Sequence, residues 1–321
     1  MEKIDTHAHV VPPGWRKYCE EHGFGKPDGM PAIPEWTPES HIALMDKLGV
    51  SKSILSITSP GTYLKPGDDA LARKITRETN EELAEICAKY PSRFGFFASL
   101  PLPDIEGSLA EIDHALKLGA SGFAVMTNAH GQYLGDSTLD AVFHKLNEVN
   151  AILFMHPTTC CGSDPAAVKP MNQYPSPMLE FFFDTTRAVT NLLLSGTVER
   201  NPNISFLVSH CGATLPPLVE RFTSFAAIIN APSTLNSDQV KELFKTRFFF
   251  DLAGFPFPDL IHGYLRVCNE SRLLYGTDFP YTPAHMIEIQ GQAMDSGLRE
   301  LFDEETIKGI YSEHAKRLLK L

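Results

Sequence analysis

The chain has 321 residues, 43% of them hydrophobic and 21% charged, the makeup of a globular protein that buries a large core. Its formal net charge of -11, with no long run of lysine and arginine to offset it, argues against nucleic acid as a partner. No basic segment leads into an apolar one at the start, and no apolar run approaches the roughly 18 residues of a membrane span, so a cytoplasmic protein away from membranes is expected.

In chain order, short β-rich apolar runs alternate with longer helical patterns. Strands are predicted near Lys3–His7, Ser53–Ile57, Phe94–Ala98, Gly122–Met126, Ile152–His156, Ile204–His210, Phe248–Leu252 and Arg272–Tyr275. Helices are predicted over 38–49, 70–90, 106–118, 138–149, 178–197 and 214–229. Thr37 is placed to cap the first of these, with Pro38 at its first turn and Ile42, Met45 and Leu48 along one face. In the second, Leu71 and Ile75 stand four apart, followed by Leu83, Ile86 and Cys87. Two Pro- and Gly-rich stretches, 11–37 and 157–177, lack periodicity and read as loops over a binding face. No linker, repeat or low-complexity tract divides the chain, so residues 1–321 read as one domain.

Alternating strands and helices require a parallel sheet, because parallel neighbours need crossover connections. The polar residues decide between an open sheet and a closed one. They fall at the C-terminal ends of strands one, five, six and eight, which meet only at the mouth of a closed (β/α)8 barrel, the TIM-barrel architecture of the α/β class.

Asp5-Thr6-His7-Ala8-His9 puts two imidazoles on one strand face, about 7 Å apart along the backbone, where both reach one cation. A lone histidine more often just hydrogen-bonds in a core, and a lone aspartate more often caps a helix. Here His156 ends its strand before Pro157, His210 ends the next before Cys211 and Gly212, and Asp278 follows Tyr275-Gly-Thr277. Coincidence explains that set poorly. Three imidazoles and a carboxylate, His7, His9, His156 and Asp278, suit one divalent metal ion, Zn2+ first and Mn2+ as an alternative, with a position left for substrate. His210 is expected beside the metal rather than on it.

The six cysteines, Cys19, Cys87, Cys160, Cys161, Cys211 and Cys268, contain no C-x-x-C pair and read as reduced thiols; a bridge between the neighbours Cys160 and Cys161 would need a strained ring. Phe181, Phe182 and Phe183 read as core or interface, and no base is placed to make Cys160, Cys161 or Cys211 a nucleophile.

These residues resemble the amidohydrolase superfamily, through His7-Ala-His9, His156, His210 and Asp278. Binuclear members carry a lysine at the end of strand four; here that region reads Gly122-Phe-Ala-Val-Met-Thr-Asn128, which implies a single metal. Within the superfamily the chain resembles the group of aminocarboxymuconate semialdehyde, γ-resorcylate and 6-methylsalicylate decarboxylases. The matching segments are Ile4-Asp-Thr-His-Ala-His9, Phe183-Asp-Thr-Thr-Arg187, Ser209-His-Cys-Gly212 and Tyr275-Gly-Thr-Asp-Phe-Pro280. His-x-His on strand one is nearer to the semialdehyde and methylsalicylate enzymes than to those with Glu-x-His.

The resemblance implies non-oxidative decarboxylation of a small hydroxylated aromatic acid, with 6-methylsalicylate giving 3-methylphenol. It assigns proton delivery to Asp278 and substrate contact to His210. It also implies an added positive charge from Arg221, supplied across the interface of a homodimer or larger homo-oligomer. The alternative is a metal-dependent hydrolase or lactonase, in which the same aspartate takes a proton from water. A non-catalytic metal-binding barrel is a third reading, set against the number of reactive groups at one end.

Overall fold

A computed structural model describes residues 1–159, 174–231, 233 and 235–321. Cys160, Cys161 and most of the expected 157–177 loop lie outside the described residues. The chain builds one sheet of eight parallel strands in sequential order. They are β1 (Lys3–His9), β2 (Val50–Ser56), β3 (Phe94–Ser99), β4 (Gly122–Met126), β5 (Ile152–His156), β6 (Ser205–Val208), β7 (Phe248–Asp251) and β8 (Leu273–Leu274). The two ends of the sheet meet: Thr6 N–H donates to the Tyr275 carbonyl at 3.0 Å, and Asp278 N–H to the His7 carbonyl at 2.8 Å. The expected barrel is present.

Around it pack α1 (Pro13–Glu21), α2 (Pro38–Leu48), α3 (Asp69–Lys89), α4 (Ile105–Lys117), α5 (Asp140–Glu148), α6 (Glu180–Leu194), α7 (Thr197–Arg200) and α8 (Val219–Ile229), with further helices to the C-terminus. Thr37 caps α2 as its sequence predicts: Ser40 N–H donates to Thr37 Oγ1, and Thr37 N–H to Ser40 Oγ, a reciprocal box. One expectation fails. The 11–37 stretch contains a two-turn helix, α1, which starts at Pro13 and buries Trp15 and Cys19, four residues apart. The indole N–H of Trp15 donates to the Gly61 carbonyl at 2.9 Å and ties the helix to the loop after β2. Proline at the first helical turn is favourable because that turn has no internal N–H partner, so the same residue that reads as a loop signal opens a helix here.

One inward side chain from every strand fills the barrel: Ile4, Ile54, Phe97, Ala124, Phe154, Leu207, Phe249 and Leu274. Apolar side chains from the last helix, Ala315, Leu318 and Leu319, close this cluster at its far end. A second, larger core lies between the strands and the helices. Because strand side chains alternate, the residues two positions further along face the barrel axis one layer higher. These are Ser56, Ser99, Met126, His156, Ser209 and Asp251, so an apolar plug is succeeded by a largely polar layer at the C-terminal mouth.

β1 departs from strict alternation. Counting from inward Ile4, the histidines would face the helices. Three residues of β1, however, pass opposite two of β2, with Asp5 beside Ser53 and Ala8 beside Leu55. This bulge shifts the alternation by one, sends Ala8 to the outer core and turns His7 and His9 into the mouth.

Candidate metal centre

The mouth gathers the four expected donors. One ligand atom from each of His7, His9, His156 and Asp278 lies within 4.8 Å of all the others. His7 Nε2 and His9 Nε2 are 3.1 Å apart, and Asp278 Oδ1 lies 3.1 Å from His9 Nε2 and 3.5 Å from His7 Nε2. Two nitrogens each bound at about 2.0–2.1 Å to one tetrahedral zinc stand roughly 3.3 Å apart, so these separations fit a shared cation.

The opposite edge of each ring explains the convergence. His7 Nδ1–H donates to Asp251 Oδ2 at 3.0 Å, His9 Nδ1–H meets Ser56 through Oγ at 3.2 Å and the carbonyl at 3.3 Å, and His156 Nδ1–H donates to the Pro157 carbonyl at 2.8 Å. With each Nδ1 holding a proton, each Nε2 can present its lone pair to the centre, the arrangement found around metal-bound imidazoles. The aspartate is set by its backbone. Asp278 has φ of 60°, a sparsely populated conformation for a non-glycine residue. Asp5 braces this turn by accepting from the Thr277 N–H and hydroxyl and from the His7 N–H.

Electrostatics also favour positive charge here. Burial opposes protonation of His7, but the carboxylates of Asp251 and then Asp278 outweigh it and raise its pKa to about 10. A divalent cation would supply that charge instead. Burial holds the His9 and His156 pKa values down. Burial pushes Asp278 up, yet hydrogen bonds from His7 and His9 prevail and keep it ionised, well below the usual carboxylate range.

His210 follows β6 with φ of 55°, its N–H held by Asp251 Oδ1 at 3.1 Å. Its ring lies 5.0 Å from His7 and 5.8 Å from His156 between centroids, beside the four donors and outside their group. Phe182 stacks on one face at 5.7 Å. Burial lowers its pKa to about 4, so the ring is neutral at pH 7, and its buried Nδ1 has no hydrogen-bond partner. Gly254 is needed at its edge, since a Cβ there would come 2.8 Å from His210 Cδ2.

Arg221 is not brought to this cluster. It is exposed on α8, with its guanidinium 5.1 Å from the Phe225 ring centroid. Of the three phenylalanines expected in core or interface, Phe183 is exposed, Phe181 is buried edge-on to His156, and Phe182 is the residue stacked on His210. Cys19, Cys87, Cys211 and Cys268 are free thiols, and burial pushes the Cys211 thiol up, which leaves it inert. Sequence reasoning missed Asp251, which joins His7 to His210. Its signal was the same as that of His156, a polar residue closing an apolar strand, here Phe248-Phe-Phe-Asp251.

Beside the cluster, over β2 to β5, the mouth opens into a cavity of about 760 Å3. None of the four donors lines it, but Thr158, two residues beyond His156, does, and so does Met126, the register partner of His156.

The family model described as amidohydrolase, Amidohydro_2, matches residues 4–321. Decarboxylase yanB of Aspergillus niger is 33% identical over 327 residues, covering 99% of this chain and 87% of that one. A 6-methylsalicylic acid decarboxylase of Penicillium expansum is also 33% identical, covering 88% of this chain and 86% of that one. Among solved structures, a dihydroxybenzoic acid decarboxylase from Polaromonas sp. JS666, with bound manganese and an inhibitor, superposes with a TM-score of 0.84 at 22% identity. That alignment covers 100% of this chain and 97% of that one, and supports the fold.

Proposed function

The chain belongs to the amidohydrolase family, and from that premise we propose that it is a metal-dependent decarboxylase of small hydroxylated aromatic acids, with 6-methylsalicylate giving 3-methylphenol and CO2. The observation that carries the reading is the convergence of His7, His9, His156 and Asp278 within 4.8 Å. The decarboxylases from Aspergillus and Penicillium, alike over most of their length, support the reaction type. The four residues would hold one divalent cation. Their mix of imidazole and carboxylate suits Zn2+, and Mn2+ is the second choice, the metal in the Polaromonas enzyme. A bound cation supplies a Lewis acid and a template for the carboxylate and the ortho-hydroxyl oxygen.

The chain's own residues do the rest. Asp278 is ionised when paired with His7 and His9, and an anionic substrate beside it raises its affinity for a proton. That proton passes to the ring carbon bearing the carboxylate. The bond from that carbon to the carboxylate then breaks, CO2 leaves, and the electron pair restores the aromatic ring. His210, neutral and with Nδ1 unpartnered, offers a hydrogen bond to a substrate oxygen, and Phe182 fixes its plane. Arg221 would add its charge from a second copy of the chain. Its exposed apolar neighbours on α8, Phe225, Ile228 and Ile229, support burial in a homodimer.

Turnover in D2O tests the reading against the hydrolase or lactonase alternative. A decarboxylase places one deuterium on the ring at the site of the lost carboxylate, and Asp278→Asn releases almost no CO2. Ester or lactone cleavage without CO2 would decide for the alternative.

A further inference from the structure

The cavity beside the cluster is too large and too apolar for a methyl group alone. Its wall carries Leu100, Leu102, Val125, Met126, Leu134 and Leu139, drawn from the segments after β3 and from β4 and beyond. At about 760 Å3 it falls in the upper part of the ~300–1,000 Å3 range of small-molecule pockets, and one ring with a methyl, a hydroxyl and a carboxylate fills only a fraction of it.

Over β2 to β4 the polar groups on its wall are already engaged, while the charged Lys26 and Glu180 border it from segments after α1 and at the start of α6. Asn128 gives its amide N–H to Asp184 and accepts from the Gly131 N–H at 2.9 Å. His130 Nε2 is bonded to the Tyr63 carbonyl at 2.8 Å, and the Tyr63 hydroxyl donates to Asp69 at 2.6 Å. Thr62 accepts from Thr76, and Ser59 bonds Thr158, each at 2.7 Å. On that β2 to β4 side a polar occupant would find few free partners, and an apolar one leaves none of these bonds broken.

The cavity borders the centre: Thr58 Oγ1 lies 3.5 Å from His156 Nδ1, and Pro60 and Gly61 close by in the chain are part of the cavity wall, as is Thr158.

Resting on the decarboxylase reading above, we infer that the site also takes, and binds more tightly, aromatic acids whose apolar ring substituent is longer than methyl, and that this cavity receives that substituent. The carboxylate and ortho-hydroxyl occupy the β1, β5 and β8 side, and the chain extends across the mouth toward β3 and β4. Specificity then lies in Leu102 and its neighbours, far from the proton transfer.

The test is a binding series on the metal-loaded wild-type protein, read by calorimetry. The ligands are 2-hydroxybenzoates with methyl, propyl or pentyl at carbon 6, and the isomers substituted at carbon 4. Affinity should rise about fourfold per added methylene in one of the two series, the value of burying that group. Leu102→Phe should erase the gain for pentyl and leave the methyl acid within about twofold. Affinity that stays flat or falls with chain length in both series overturns the inference, and because those measurements use wild type they do not depend on the variant folding. CO2 release from the same acids is scored separately. Tighter binding without CO2 keeps the assignment of the cavity and sinks the decarboxylase reading; CO2 from the methyl acid with no chain-length effect does the reverse.

Discussion

The two halves of the barrel mouth are built on opposite plans. On the side of β1 and β5 to β8, donors crowd together, and each is fixed at its far edge: His7 by Asp251, His9 by Ser56, His156 by the Pro157 carbonyl, and the Asp278 turn by Asp5. Over β2 to β4 the polar groups satisfy one another and leave a roomy apolar surface. The first half would tolerate almost no displacement, since a donor moved by an ångström would no longer reach a shared cation. The second can exchange one aliphatic side chain for another at little cost. On the proposed reading, chemistry and selectivity occupy separate sectors of one mouth, and each can change without the other.

Perturbing the crowded half should expose that division most sharply. His7→Ala removes a central donor, so purified protein should lose most of its metal by elemental analysis and all measurable turnover, with little change in thermal unfolding. Full metal occupancy in that variant would break the assignment. His210→Ala should keep the metal while kcat falls by ~10²-fold or more, as for loss of a group that positions or polarises substrate; metal loss there would make it a ligand. Asp251→Asn keeps the shape but weakens the hold on His7, and metal affinity in a chelator competition should drop about 10- to 100-fold. Unchanged affinity would reduce Asp251 to a backbone brace for His210.

The smallest effect is set by pH. His7 is raised to about 10, so a cation must displace a proton from it at neutral pH. Between pH 8 and pH 7 the affinity for metal should therefore fall about tenfold, because protonated His7 is favoured as pH drops below its pKa. His210, with a pKa near 4, stays neutral across that window and contributes nothing to the slope. A pH-independent affinity would show that His7 binds without giving up a proton.

The crowded half was largely legible in the sequence and the roomy half was not. His156 and Asp278 declare themselves because a charged or imidazole side chain closing a strand is costly to place without a purpose. Asp251 sends the same signal, but the predicted strand Phe248–Leu252 runs one residue past it, so it reads as an interior position rather than a strand end. Ser56 gave none, since serine is common at strand ends. The cavity depends on how segments after three different strands close over one another, which no local pattern encodes. Arg221 sits near its expected place in the chain, yet it faces outward on α8, since sequence order fixes neither a helix's facing nor what a second copy brings to it. In α1 the prolines and glycines masked an amphipathic pair, Trp15 and Cys19, that only tertiary packing makes visible.

The bulge in β1 gives this strand a phase of its own. His7 and His9 face the mouth only because three residues pass opposite two between Asp5 and Ala8. Straightening the bulge at full length would turn both imidazoles into the helix layer, whereas losing one residue between Asp5 and His7 would bring β1 into step with its neighbours and leave both imidazoles facing the mouth. Residue count and bulge are thus two parts of one parity. A change of one residue in this segment keeps the histidines on the mouth only if the bulge disappears with it.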